Sequence, residues 1–137
     1  TLSDFQDQGK SLIVIHDLPA SLDTPLLWKT NSIKNPWANS VDVDETINYL
    51  EDKLNQRNYN HFFVFQSVLT PNEQWIERSL KSDPLSIGID TLSESINQTI
   101  VNKMESSWRG DGVKRNIILS DMVHYPDLTR MIIESNR

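Results

Sequence analysis

His61-Phe62-Phe63-Val64-Phe65-Gln66 is the stretch that decides the fold. Its residues are aromatic or β-branched, and the apolar ones run together instead of alternating with polar ones. A strand with one wet face alternates, whereas a continuous run belongs to a strand buried on both faces, as in a parallel sheet. Two other runs share the pattern: Ser11-Leu12-Ile13-Val14-Ile15-His16 before it, and Asn116-Ile117-Ile118-Leu119-Ser120-Asp121 after it.

Helical signals fill the space between these runs. Asp42-x-x-Glu45 reads as a capping-box start, and Val43, Ile47, Leu50 and Leu54 follow at helical spacing. Thr70-Pro71-Asn72-Glu73 supplies a cap, a proline at the first helical position and a glutamate at the third, with Trp75, Ile76 and Leu80 behind it. Thr91-x-x-Glu94 opens a longer helix whose Leu92, Ile96, Ile100 and Met104 share one stripe. Pro126 starts a last helix with Leu128, Met131 and Ile132. The order strand, helix, strand, helix, helix, strand, helix predicts an α/β fold with right-handed crossovers and parallel strands.

Residues 17–41 read as a long connection with neither helix nor strand. Trp28 and Trp37 are expected to hold it against the strand ends as a wall, with Pro25 and Pro36 limiting its freedom. The plainer alternative is that both tryptophans pin the loop to the core. Three parallel strands leave two sheet edges open and two faces to cover. The remainder of the sheet is therefore expected on another polypeptide or a removed segment, across an obligate apolar interface of more than about 2,000 Å².

The chain has 137 residues, enough for one domain. With 37% hydrophobic and 23% charged residues it has an ordinary globular balance. The net charge of −6 argues against nucleic acid, which needs clustered Lys and Arg. No apolar run approaches the ~20 residues of a transmembrane helix. The absence of cysteine excludes disulfides and thiolate chemistry. Asn97-Gln98-Thr99 is a sequon, which makes Asn97 a candidate glycosylation site. Between a secreted and a cytoplasmic location, the sequon leans toward secretion.

Parallel β/α folds place their functional groups at the C-terminal ends of strands. Those ends are polar here: His16 and Asp17, Gln66 and Ser67, Ser120 and Asp121. Polar residues also end strands merely to meet water, but parallel strands bring three such ends to one side. Neither a glycine-rich phosphate loop nor a G-x-S-x-G elbow is present, and His16, His61 and His124 lack metal-ligand spacing. His61 opens a strand at the end opposite the expected site and reads as structural. His124 reads as a solvated loop residue, Arg109-Gly110-Asp111 as a turn, and Asp42, Asp44 and Glu45 as complements to a helix N-terminus.

Five segments taken together carry a resemblance: Leu26-Leu27-Trp28, Pro36-Trp37-Ala38-Asn39-Ser40, Phe63-Val64-Phe65-Gln66-Ser67-Val68-Leu69-Thr70-Pro71, Asn116-Ile117-Ile118-Leu119-Ser120-Asp121-Met122-Val123 and Ile132-Ile133-Glu134-Ser135-Asn136. In order and approximate spacing, from about residue 10 onward, they resemble the second half of the phosphatidylinositol-specific phospholipase C X-domain-containing proteins. The resemblance implies that residues 1–137 form the C-terminal part of a distorted TIM-type (β/α) barrel, its N-terminal part absent from this chain.

It also implies a chemistry. Active members cleave phosphodiesters of the phosphatidylinositol type by attack of the inositol 2-hydroxyl on phosphorus. Two histidines serve as base and acid, and an arginine or a calcium ion carries the phosphate charge. Both histidines belong to the missing half, so this chain alone is expected to be inactive and to need a polypeptide carrying that half. Any calcium would be held there, and no cofactor is expected in this chain. Asp121 matches the aspartate that orients the general-base histidine in bacterial relatives. Gln66 and His16 stand at strand ends where relatives present substrate contacts. Met122 departs from the family, where an aromatic is more usual. The rival readings are a catalytically dead relative kept for binding, storage or structure, and an independent small α/β domain.

Overall fold

The computed structural model of the chain describes residues 7–9, 12, 14–16, 28–58, 60–82, 88–108, 117–122 and 126–134. In chain order the elements are β1 (Ile15–His16), β2 (Trp28–Lys29), a 3-10 turn (Thr30–Ser32), β3 (Ile33–Lys34), α1 (Val43–Asn55), β4 (Phe62–Ser67), α2 (Glu73–Lys81), α3 (Ile89–Glu105), β5 (Ile117–Ser120) and α4 (Pro126–Glu134). The strands form a parallel pair, β1-β2, and a parallel three-stranded sheet ordered β3-β4-β5. The fold is thus α/β with parallel strands in an open sheet, and neighbouring strands follow chain order.

The stretch 28–34 corrects the expectation of a structureless connection. Trp28 pairs with Ile15, its N–H donating to the Val14 carbonyl at 2.9 Å, and Ile33 pairs with Phe62. Two-residue strands carrying lysine are too short to show either period, and only pairing reveals them. The Trp28 ring lies against Phe62 at the start of β4, with centroids 5.0 Å apart. That is the N-terminal end of the strand, so Trp28 does not guard the C-terminal ends as expected.

The helices begin where their donors find acceptors. Asp42 caps α1 by accepting the Glu45 N–H at 2.8 Å. Glu45 does not return the bond as a full capping box would; its carboxylate accepts from the Ser40 hydroxyl at 2.6 Å. Helix α2 starts two residues later than its proline suggests, because Asn72 is the cap and accepts the Trp75 N–H. Thr70 is otherwise engaged, its N–H donating to the Ser40 carbonyl at 2.7 Å. Helix α3 likewise begins at Ile89 rather than Thr91, behind Gly88.

The core lies on one side of β4. Phe63 and Phe65 pack with Ile47, Leu50 and Leu54 of α1, Leu92, Ile96, Ile100 and Val101 of α3, and Leu128 of α4. The period of two that puts Phe63 and Phe65 toward the helices turns Phe62, Val64 and Gln66 to the other face. There Val64 is beside Ile117 and Gln66 beside Leu119 on β5. Ile117 and Leu119 are exposed, 41% and 46%. The helices therefore cover one face of the sheet; on the second face Val64 is buried, while Ile117 and Leu119 at the β5 side are open to solvent.

Candidate strand-end site

Two of the candidate residues stand at the C-terminal ends of the neighbouring strands β4 and β5. Gln66 is the penultimate residue of β4 and is half-buried; its register partner is Leu119. Asp121 follows the last residue of β5 and is also half-buried. Asp121 continues the register Ile117, Leu119, Asp121 by one residue beyond the paired strand. Both stand at the C-terminal ends of parallel strands, where such sheets gather polar groups. Among the described residues the Asp121 carboxylate neither caps a helix nor joins an ion pair.

His16 is not brought to them. It ends β1 opposite Lys29 in the separate two-stranded sheet. Asp17, His124 and Arg109-Gly110-Asp111 lie outside the described residues. His61 precedes β4 at the end away from the site, its backbone N–H donating to the Asn58 carbonyl.

Asn97, the candidate glycan acceptor, lies inside the fold. The side chain is fully buried in α3. Its Nδ2 donates to the Asp121 carbonyl at 3.0 Å, and its Oδ1 accepts from the Ser120 hydroxyl. A sugar on that nitrogen would have to break the contact between α3 and the end of β5. A signal in the sequence did exist. Asn97 lies four residues from Ser93 and from Val101, and all three are buried beside the Leu92, Ile96, Ile100 stripe.

The strand ends are tied from two further sides. The buried Ser67 hydroxyl donates to the Leu119 carbonyl at 2.8 Å, which locks the ends of β4 and β5 together. The Trp37 indole N–H donates to the Thr70 hydroxyl at 2.9 Å. That bond sets Trp37 over the C-terminal end of β4, as expected of the loop wall, with half of its surface open. Among the described residues no three acidic or histidine side chains gather to hold a metal ion, and no helix is long and apolar enough to cross a membrane.

Relatives exist along almost the whole chain. It is 27% identical over 133 residues to the human PI-PLC X domain-containing protein 3, covering 95% of this chain and 39% of the relative. It is 28% identical over 137 residues to the mouse PI-PLC X domain-containing protein 2, covering 99% of this chain and 39% of the relative. Against the zebrafish (Danio rerio) PI-PLC X domain-containing protein 3 the identity is 29% over 128 residues, 91% of this chain and 38% of the relative. The chain thus spans about two fifths of the length of these curated relatives. No family model matches it, and no solved structure does.

Proposed function

The chain resembles the PI-PLC X domain-containing proteins over nearly its whole length, and on that footing we propose that it supplies the later strands of a phospholipase C-like phosphodiesterase barrel. One observation supports the reading: the helices pack on one face of the sheet, while Ile117 and Leu119 of its other face are exposed and Gln66 and Asp121 stand at the strand ends beside them. Parallel sheets are covered on both faces. In this reading the open face becomes the barrel interior, closed by strands of a polypeptide segment that bears the two histidines. The substrate is a phosphoinositide or a related phosphodiester.

Asp121 then has a defined task. Its carboxylate accepts a hydrogen bond from one nitrogen of the general-base imidazole. This fixes the tautomer and stabilises the imidazolium that forms when the other nitrogen takes the proton of the attacking hydroxyl. Gln66, able to donate and accept through its amide, contacts a substrate oxygen nearby. Any calcium ion would be held by the segment that bears the two histidines.

The test is phosphatidylinositol cleavage by the complete protein and by its Asp121→Asn form. Asparagine keeps the shape but presents the wrong partner to an imidazole N–H; the equivalent change in serine proteases costs about 10⁴-fold. A loss of roughly 10²- to 10⁴-fold in kcat with unchanged melting is expected. Equal rates at equal stability would remove Asp121 from the mechanism. Inactivity of both forms would favour a non-catalytic relative that binds its ligand without cleaving it.

A further inference from the structure

Asn97 is a polar residue in an apolar setting, flanked on α3 by the buried Ile96, Ile100 and Val101. Burying an amide is costly unless both of its ends are paired. Both are paired here, and with the same short segment. The Asp121 carbonyl can only accept, so the amide nitrogen must face it; the oxygen then faces the Ser120 hydroxyl and takes its single proton. The Ser120 oxygen also lies 3.0 Å from the Asp121 carbonyl, which closes the cluster.

The segment held in this way is where regular structure stops. The ladder between β4 and β5 ends at the pair Ser67 and Ser120, so Asp121 has no strand partner of its own. The next residue, Met122, adopts φ +54°, a left-handed conformation that a side chain with a β-carbon rarely takes. The extended backbone of β5 therefore breaks off directly after Asp121. With no ladder on one side and a strained residue on the other, the contact from α3 is, among the described residues, the side-chain bond from another element that holds the Asp121 peptide. The direction of a side chain follows from its backbone, so this contact also aims the carboxylate.

We infer that Asn97 is a positioning residue for Asp121: it clamps the Asp121 carbonyl from the helix layer and thereby holds the carboxylate at the strand ends. The inference rests on the reading of Asp121 as partner to a catalytic histidine. It assigns Asn97 no contact with substrate.

A double-mutant cycle in the complete protein, assayed on phosphatidylinositol vesicles, tests it alongside amide hydrogen exchange. Asn97→Ala is expected to lower kcat by up to about 100-fold, the scale of a catalytic group displaced by ~1 Å, with KM little changed. In the Asp121→Asn background the same change is expected to lower kcat no further, because the group it positions is already gone. Exchange at amides 120–122 is expected to rise in Asn97→Ala while the amides of Phe63 and Phe65 keep their protection. An equal fold loss in both backgrounds would reduce Asn97 to general stability and overturn the inference, as would unchanged exchange at 120–122. Full activity of Asn97→Ala beside an impaired Asp121→Asn would overturn the positioning role alone. Full activity of Asp121→Asn would overturn the underlying role of Asp121 and the inference with it. If Asn97→Ala does not fold, Ser120→Ala removes one leg of the clamp and is judged by the same two criteria.

Discussion

Trp37 and Thr70, 33 positions apart, are joined by a hydrogen bond from the indole N–H to the threonine hydroxyl. With the backbone bond from Thr70 to Ser40, it fastens the segment after β3 onto the segment after β4. Neither segment belongs to a helix or strand, so this link is how an irregular stretch acquires a fixed place at the strand ends.

Thr70→Val preserves the shape of that link and removes its acceptor. The expected cost is about 1 kcal/mol in the midpoint-derived stability of the complete protein under urea, the usual net value of one neutral hydrogen bond. Trp37 is half exposed, so its emission should shift further to the red as it loses its seat. A loss well above that value would mean that Thr70 carries packing the hydrogen bond does not represent.

Leu119→Glu probes the open face. In the complete protein a glutamate there would be buried without a partner if strands cover the face, and a cost of roughly 3 kcal/mol or more in thermal or chemical unfolding is expected. In residues 1–137 expressed alone the same change should reduce self-association seen by light scattering. Equal effects in both contexts would show that nothing covers this face.

Thr99→Ala destroys the sequon without touching Asn97. Its hydroxyl donates to the Ser95 carbonyl within α3, a local bond that a helix can lose cheaply. The protein secreted from a eukaryotic host should show the same mass in both forms, apart from the substitution itself, because the Asn97 amide is sealed inside the fold. A glycan-sized difference by mass spectrometry would mean that the contact between α3 and β5 is not the native one.

The parts of the fold legible in the sequence are those whose pattern repeats over several residues. The run Phe62 to Phe65, the stripe Leu92, Ile96, Ile100 and the cap at Asp42 all announced their elements. Trp28-Lys29 and Ile33-Lys34 did not, since two residues carry no period. The pattern at Thr70-Pro71 pointed to a helix start, but Trp37, distant in sequence, had already claimed the threonine. At the site, the strand pattern was enough to put Gln66 and Asp121 at the ends of neighbouring strands. The burial of Asn97 was not read from the sequence because a local triplet stood out more than its spacing from Ser93 and Val101. A buried polar residue declares itself through its partners, and Asp121 lies 24 positions away.

The pairing of β4 with β5 also sets an order of assembly. The bond from Ser67 to the Leu119 carbonyl spans 52 positions, with two helices in between, whereas α1 packs on β4 across a short connection. Closing the longer loop costs more chain entropy, and parallel pairing across intervening helices is slow for that reason. The α1 and β4 unit is therefore the natural nucleus, and β5 docks late. Asp121 meets Asn97 only on that docking, so the candidate site is among the last parts of the chain to take shape. In a refolding experiment, protection of the amides around Asp121 should lag behind that of Phe65.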